Sequence, residues 1–265
     1  MHSVKAKKFL GQHFLLDALL CKSIADEVLV PDAPKVLFEI GAGMGALTAH
    51  LFADPVKDTF VIEIDTESVD YLHQHYPFKQ NRVIEADFLR ADRNKLLSSA
   101  YPEGVASFSI IGNFPYNISS QILFRVLDYR EQVPLVVGMF QKEVGMRIAA
   151  KPRNKTYGIL SVFMQMYYTV EVIHHVPPTS FRPVPKVDSV VLRLKRNTKQ
   201  TLNCDEKRFI NLVKTGFNQR RKTLRNALKN ILPPNFPNDH PFLNQRAEEL
   251  SCHDFEVLAS LMEKA

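Results

Sequence analysis

Phe38-Glu39-Ile40-Gly41-Ala42-Gly43-Met44-Gly45 is the stretch that decides the fold: an apolar strand runs straight into glycines and then into a helical run, Ala46–Phe52. Glycine tolerates positive φ and lets a ligand approach the main chain, so this passage marks the carboxyl edge of a parallel α/β sheet as a binding edge. At about the 20-residue distance typical of nucleotide-binding folds, a second strand ends in acids, Val61-Ile62-Glu63-Ile64-Asp65. A carboxylate there can accept both hydroxyls of a ribose, and Glu63 is the residue assigned to it. A third strand, Val83-Ile84, runs into Glu85-Ala86-Asp87-Phe88, which puts Asp87 at the same edge to accept from an adenine amino group, with Phe88 packed on the ring. Gly41 to Ala46 also satisfies the dinucleotide fingerprint with Ala in the last place, so the turn alone leaves two cofactor classes open. Three acidic strand ends, Glu39, Glu63 and Asp87, suit an adenosine with a free ribose and a charged amino-acid tail and oppose a pyrophosphate.

Outward from that turn, short β-branched or apolar runs alternate with segments of helical length: Val36–Ile40, Thr59–Ile64, Arg82–Glu85, Ser107–Ile111 and Leu135–Phe140. Such alternation predicts βαβ units and a mainly parallel sheet. Two later runs, Tyr167–Val176 and Ser189–Leu194, are joined by Pro-rich chain without a crossover helix, so they are expected to pair antiparallel at a sheet edge. This plan, an open and mostly parallel seven-stranded α/β sheet, resembles the Rossmann-like class I S-adenosylmethionine-dependent methyltransferases. From about Asn197 the apolar period becomes helical (Phe209, Leu212, Val213, Phe217, then Leu224, Ala227, Leu228, Ile231) until Pro233-Pro234. The expected division is a catalytic domain over 1–196 and a small all-helical domain over 197–265.

The 265 residues are 45% hydrophobic, enough to bury a substantial core and to exclude a disordered chain. Apolar runs fall short of the roughly 18 residues of a membrane helix, and the basic start has no apolar segment behind it, so a soluble, cytoplasmic protein is expected. Cys21, Cys204 and Cys252 are odd in number and far apart, matching neither a disulfide framework nor a zinc site, and no metal is implied. A net charge of +6 favours a polyanionic partner.

Ile110-Ile111-Gly112-Asn113-Phe114-Pro115-Tyr116 is the most specific signal: a fourth strand ends at Asn113 and Pro115 stiffens the turn after it. Asn-Phe-Pro-Tyr resembles the Asn/Asp-Pro-Pro-Tyr motif of methyltransferases that act on amines conjugated to planar rings. The lone pair of such an amine is delocalised, so the site must localise it. The Asn113 amide oxygen and the Phe114 carbonyl can accept the two amine hydrogens, while Tyr116 stacks on the ring. The donor is already activated, so alignment supplies most of the rate. A strong general base is not needed, because the amine becomes acidic as it gains its methyl. The nicotinamide alternative has no use for this tetrapeptide.

With these motifs the chain resembles the ribosomal RNA adenine dimethyltransferase family over nearly its whole length. The shared segments include Phe9-Leu10-Gly11-Gln12-His13-Phe14-Leu15, Gln141-Lys142-Glu143-Val144, Tyr157-Gly158-Ile159-Leu160-Ser161 and Phe181-Arg182-Pro183-Val184-Pro185-Lys186-Val187-Asp188-Ser189. The resemblance implies that the amino-terminal segment folds over S-adenosylmethionine, with Gln12, His13 and Leu15 at its methionine end. His13 stands where the family usually has Asn. It also implies that Phe181 stacks on the target adenine opposite Tyr116, an aromatic sandwich that offsets the cost of extruding a base.

Gln219-Arg220-Arg221-Lys222-Thr223-Leu224-Arg225 is read as the polar side of an amphipathic helix that, with Lys5, Lys7 and Lys8, tracks RNA backbone. The leading expectation from the resemblance is dimethylation of two adjacent adenosines in the 3'-terminal hairpin loop of small-subunit (16S) ribosomal RNA or its precursor particle; a monomer is expected because no stretch of the sequence suggests an obligate interface. Two alternatives stand beside it: a resistance methyltransferase acting on large-subunit RNA, and a non-catalytic RNA-binding relative.

Overall fold

A computed structural model describes residues 4–92, 101, 104–199 and 201–265. The strands are β1 (Phe14–Leu15), β2 (Val36–Ile40), β3 (Asp58–Glu63), β4 (Val83–Glu85), β5 (Phe108–Asn113), β6 (Leu135–Gln141), β7 (Tyr168–Val176), β8 (Phe181–Arg182) and β9 (Ser189–Arg196). The α-helices are α1 (Ala18–Asp26), α2 (Thr48–Ala53), α3 (Thr66–His75), α4 (Ser119–Asp128), α5 (Lys142–Ile148), α6 (Ile159–Tyr167), α7 (Glu206–Asn218), α8 (Leu224–Ala227) and α9 (Cys252–Lys264).

Seven strands form one sheet in the order β4-β3-β2-β5-β6-β9-β7. Pairs β3/β4, β2/β3, β2/β5 and β5/β6 are parallel, and β9 runs antiparallel to β6. Every residue of β2 is buried, as a central strand covered on both faces requires. Alternate side chains serve opposite faces. Leu37 and Ile111 join Cys21, Ile24 and Ala25 of α1 in one core cluster, while Phe38 packs edge-on to Phe108 at 5.2 Å. On the β3–β4 side, Val69 and Leu72 of α3 cover Val61 and Val83. The strand order reverses between β2 and β5, so Gly41 and Asn113 leave the sheet side by side at the crevice where ligands of open α/β sheets bind. A separate two-stranded ribbon pairs β1 with β8, Phe14 opposite Arg182 and Leu15 opposite Phe181, an element absent from the sequence-based expectation.

The chain divides into two compact units, Met1–Gly145 with Glu171–Arg196, and Met146–Val170 with Asn197–Ala265. This differs from a single cut after Arg196, because α6 groups with the later helices. Seven of its nine residues are buried, and Phe163 lies 6.0 Å from Phe209 of α7. Within this second unit the expected continuous basic helix is broken. Gln219 leaves helical geometry (φ −117°, ψ 42°), so Arg220, Arg221 and Lys222 sit in the turn between α7 and the single-turn α8. Among the described residues no helix is long and apolar enough to cross a membrane, and no group of His, Cys, Asp or Glu could hold a metal ion.

Candidate active site

A cavity of about 500 Å³ opens where β2, β3 and β5 end, within the range of small-molecule sites. Its lining joins three parts of the sequence: Leu10–Leu15 from the amino-terminal segment, the glycine turn with Glu39, Glu63, Asp87 and Phe88 behind it, and Asn113 to Ile118 after β5. Gly43 holds φ +53°, and a Cβ there would come within 2.7 Å of the Phe14 ring, so both conformation and space call for glycine.

The acids are set up differently. Glu63 is buried, and its carboxylate accepts three backbone N–H groups, Gly43 (2.8 Å), Ile64 (2.8 Å) and Asp65 (2.9 Å). Burial pushes its pKa up from the ordinary value, against the pull of those donors. A carboxylate has about four acceptor sites, so room remains for one hydroxyl rather than the two expected of it. Glu39 is fully buried and accepts from the Thr48 hydroxyl at 2.6 Å. Burial pushes it up to about 8, which leaves a mainly neutral carboxyl at pH 7. Asp87 accepts from Leu89 N–H at 2.9 Å, which fixes its rotamer at the cavity wall, and Phe88 is buried beside it.

At the tip of β5 the Asn113 amide nitrogen donates to the His13 carbonyl at 2.8 Å. That carbonyl can only accept, so the amide is oriented and Oδ1 is left as a free acceptor. The Phe114 ring points backwards, fully buried and edge-on to Phe140 at 5.3 Å. It covers a notch made by two register partners, Gly112 and Gly138. A Cβ on either would come within 2.8 Å or less of that ring. Pro115 packs over Gly41, 3.6 Å from where a Cβ would stand. The Tyr116 hydroxyl is 2.6 Å from Ser189 Oγ, which fixes the plane of its ring, and burial raises its pKa.

The amino-terminal segment is tied down at several points. Lys7 Nζ is ion-paired with Asp65 and, at 3.2 Å, with Glu67. Gln12 accepts from Lys7 N–H at 2.8 Å and donates to Asp65 at 3.2 Å. His13 Nδ1 lies 2.7 Å from the Pro183 carbonyl, so that nitrogen carries the hydrogen, and the His13 ring stacks on Tyr116 with centroids 5.2 Å apart.

Several expectations change. Gln12 lines the cavity but spends both ends of its amide on Lys7 and Asp65, and Lys7 is held by carboxylates rather than presented to a backbone phosphate. Phe181 is 1% exposed, packed in the core with Leu15, and does not line the cavity. The β1–β8 ribbon turns it inward, and the ring against Tyr116 is His13. Arg220 binds Glu248 at 2.6 Å and the Lys155 carbonyl at 2.6 Å, so it braces the second unit, whereas Arg221, Lys222 and Lys8 are exposed. Arg225 donates to Asn244 at 3.1 Å. Asp65 and Ser189 were missed. Their signals were slight: a second acid two residues after Glu63, and a serine ending the Phe181–Ser189 motif. Gly112 and Gly138 carry no signal, since a glycine within a strand says nothing of the ring it accommodates.

Residues 3–259 match the family model of ribosomal RNA adenine dimethylases. Ribosomal RNA small subunit methyltransferase A of Cytophaga hutchinsonii is 52% identical over 99% of both chains. The protein of that name from Porphyromonas gingivalis is 49% identical over the full length of both. The crystal structure of a dimethyladenosine transferase from Plasmodium falciparum superposes with a TM-score of 0.74 at 25% identity, covering 95% of this chain and 97% of that one. That of the 23S rRNA methyltransferase ErmE does so at 0.65, with 24% identity and coverage of 93% and 99%, a likeness of fold.

Proposed function

The chain belongs to the ribosomal RNA adenine dimethylase family, and from that membership we propose that it dimethylates N6 of two adjacent adenosines in the terminal hairpin loop of small-subunit ribosomal RNA. It does so with S-adenosylmethionine, as a cytoplasmic monomer acting on small-subunit ribosomal RNA or the particle that contains it. The observation that carries the reading is the amide of Asn113, a residue lining the cavity, whose nitrogen is held on the His13 carbonyl so that its oxygen is left as an acceptor.

The residues present fit the donor. The cavity offers a glycine turn for close approach, one vacant acceptor site on Glu63 for a ribose hydroxyl, and Asp87 beside Phe88 for an adenine amine and ring. When bound, S-adenosylmethionine supplies a methyl group already activated by its sulfonium. Glu63 and Asp87 supply negative charge of the sign a sulfonium and an ammonium require.

Asn113 Oδ1 accepts one N6 hydrogen of the target adenine and the Phe114 carbonyl accepts the other, drawing the nitrogen out of conjugation and aiming its lone pair. Tyr116, held by Ser189, takes the base on the face now covered by His13, so the imidazole must withdraw as the base arrives. After transfer the surplus proton leaves to water, since an amide at position 113 cannot take it. Gly41 and Pro115, packed together, keep the donor side and the acceptor side at a constant separation, which is where alignment acts on the rate.

The test is mass spectrometry of ribosomal RNA from cells with and without the protein. N6,N6-dimethyladenosine at the terminal hairpin of the small-subunit RNA should vanish with the protein. Its persistence there, or its loss from large-subunit RNA instead, would overturn the assignment.

A further inference from the structure

Phe9 is 76% exposed, an unusual placement for an aromatic ring on a short, well-anchored turn. The turn Lys8–Leu10 is a 3-10 helix closed by Gly11 at φ +65°. Its carbonyls are used: Gly11 N–H donates to Lys8 at 3.0 Å, and the Asn117 side chain donates to the Phe9 carbonyl at 3.2 Å. A Cβ on Gly11 would come within 2.7 Å of Asn117 Oδ1, so the turn lies flush against the residue that follows Tyr116. Leu10, Gly11 and Asn117 all line the cavity, which sets Phe9 at its rim. Lys5 and Lys8 are exposed on the same segment.

We propose that Phe9 is a binding platform for a second nucleobase, the unpaired nucleotide flanking the adenine held at Asn113. The proposal rests on the reading of the cavity as an RNA adenine methyltransferase site. Extruding one base from a loop strips its neighbour of a stacking partner, and an aromatic face at the rim replaces it. Every nucleobase offers a π-face, and basic side chains beside the ring receive the phosphates, the combination that single-stranded nucleic acid binders use. A protein partner would call for a contiguous apolar patch, whereas the exposed residues that accompany Phe9 along residues 4–15 are Lys5 and Lys8.

Methylation of small ribosomal subunits lacking dimethyladenosine, followed with tritiated donor, tests this. Phe9→Ala should raise KM for the subunit about tenfold, as loss of one base stack predicts, with kcat and donor affinity unchanged. Phe9→Trp should restore KM, and Phe9→Leu, apolar but not flat, should not. An unchanged KM in Phe9→Ala, or leucine restoring it as fully as tryptophan, would overturn the proposal. Failure of the unmutated protein to form dimethyladenosine in these subunits would instead remove the parent reading, and this proposal with it.

Discussion

Gly138 lies one strand away from Asn113 and does not line the cavity, yet its replacement by alanine is expected to slow methyl transfer. A Cβ there would stand 2.4 Å from Phe114 Cε2 and 2.9 Å from both Phe114 Cδ2 and Phe140 Cε2. Its backbone has no positive φ, so the whole penalty is overlap. Phe140 and Phe114 are fully buried and cannot swing into solvent, so the ring of Phe114 must lift. Overpacking of this kind costs ~1–3 kcal/mol, and for a chain of this size each kcal/mol lowers Tm by about 2–4 °C. Lifting the ring moves the main chain on which the Phe114 carbonyl and the Asn113 amide are mounted. A displacement near 1 Å at such a site costs on the order of a hundredfold in rate. Donor affinity should hold, because Glu63, Asp87 and the glycine turn lie on other strands. Thermal unfolding, calorimetry with the donor and single-turnover transfer separate the three effects. The decisive variant is the double one: Phe114→Leu removes the edge that the new methyl strikes, so it should recover much of kcat in the Gly138→Ala background. Simple additivity of the two changes would refute the account.

Other outcomes follow from the same geometry. Glu63→Ala should weaken donor binding by about tenfold or more, the worth of one charge-assisted hydrogen bond, before it touches kcat; unaltered affinity by calorimetry would withdraw the ribose role. Glu39 has a folded pKa raised by burial from 4.5 to about 8, so it favours folding fully below the lower value and loses that contribution as pH climbs through the upper one. Glu39→Gln keeps an acceptor for Thr48 and should therefore flatten the fall in Tm across that window; an equal fall in both proteins would sink the claim. Lys7→Met should speed donor release and leave RNA affinity nearly intact, because Lys7 serves Asp65 and Glu67. An RNA affinity lost in proportion to one phosphate contact would reverse that reading.

The central sheet was legible because its physics is local. Val36–Ile40 and Leu135–Gln141 are buried along nearly their whole length, so they read as nearly unbroken apolar runs, and Gly41 marks where the first of them leaves the sheet. The glycine turn, Glu63, Asp87 and Asn113 were readable for the same reason: each ends a strand or begins within two residues of its end, and strand ends in this topology meet at one edge. What failed to show was set by distant partners. The β1–β8 ribbon is two residues long on each side, too short for a period, and it alone decides that Phe181 faces inward. Arg220 and Lys7 looked like members of basic patches because their carboxylate partners are 28 and 58 residues away. The basic run after Asn218 kept a helical spacing of apolar residues, but α7 stops there and Leu224 begins a new turn.

The long reach of the amino-terminal clasp bears on how the molecule is made. His13 meets Pro183, 170 residues away, and Leu16 bonds to Ser180, so although Asp65 and Asn113 offer earlier holds, the amino-terminal segment is not fully fastened until almost the last strand has been synthesised. Loop closure over such a span grows costlier only slowly with length, but it comes late in time. A nascent chain arrested before Pro183 would carry a finished glycine turn under a roof fastened along one side only.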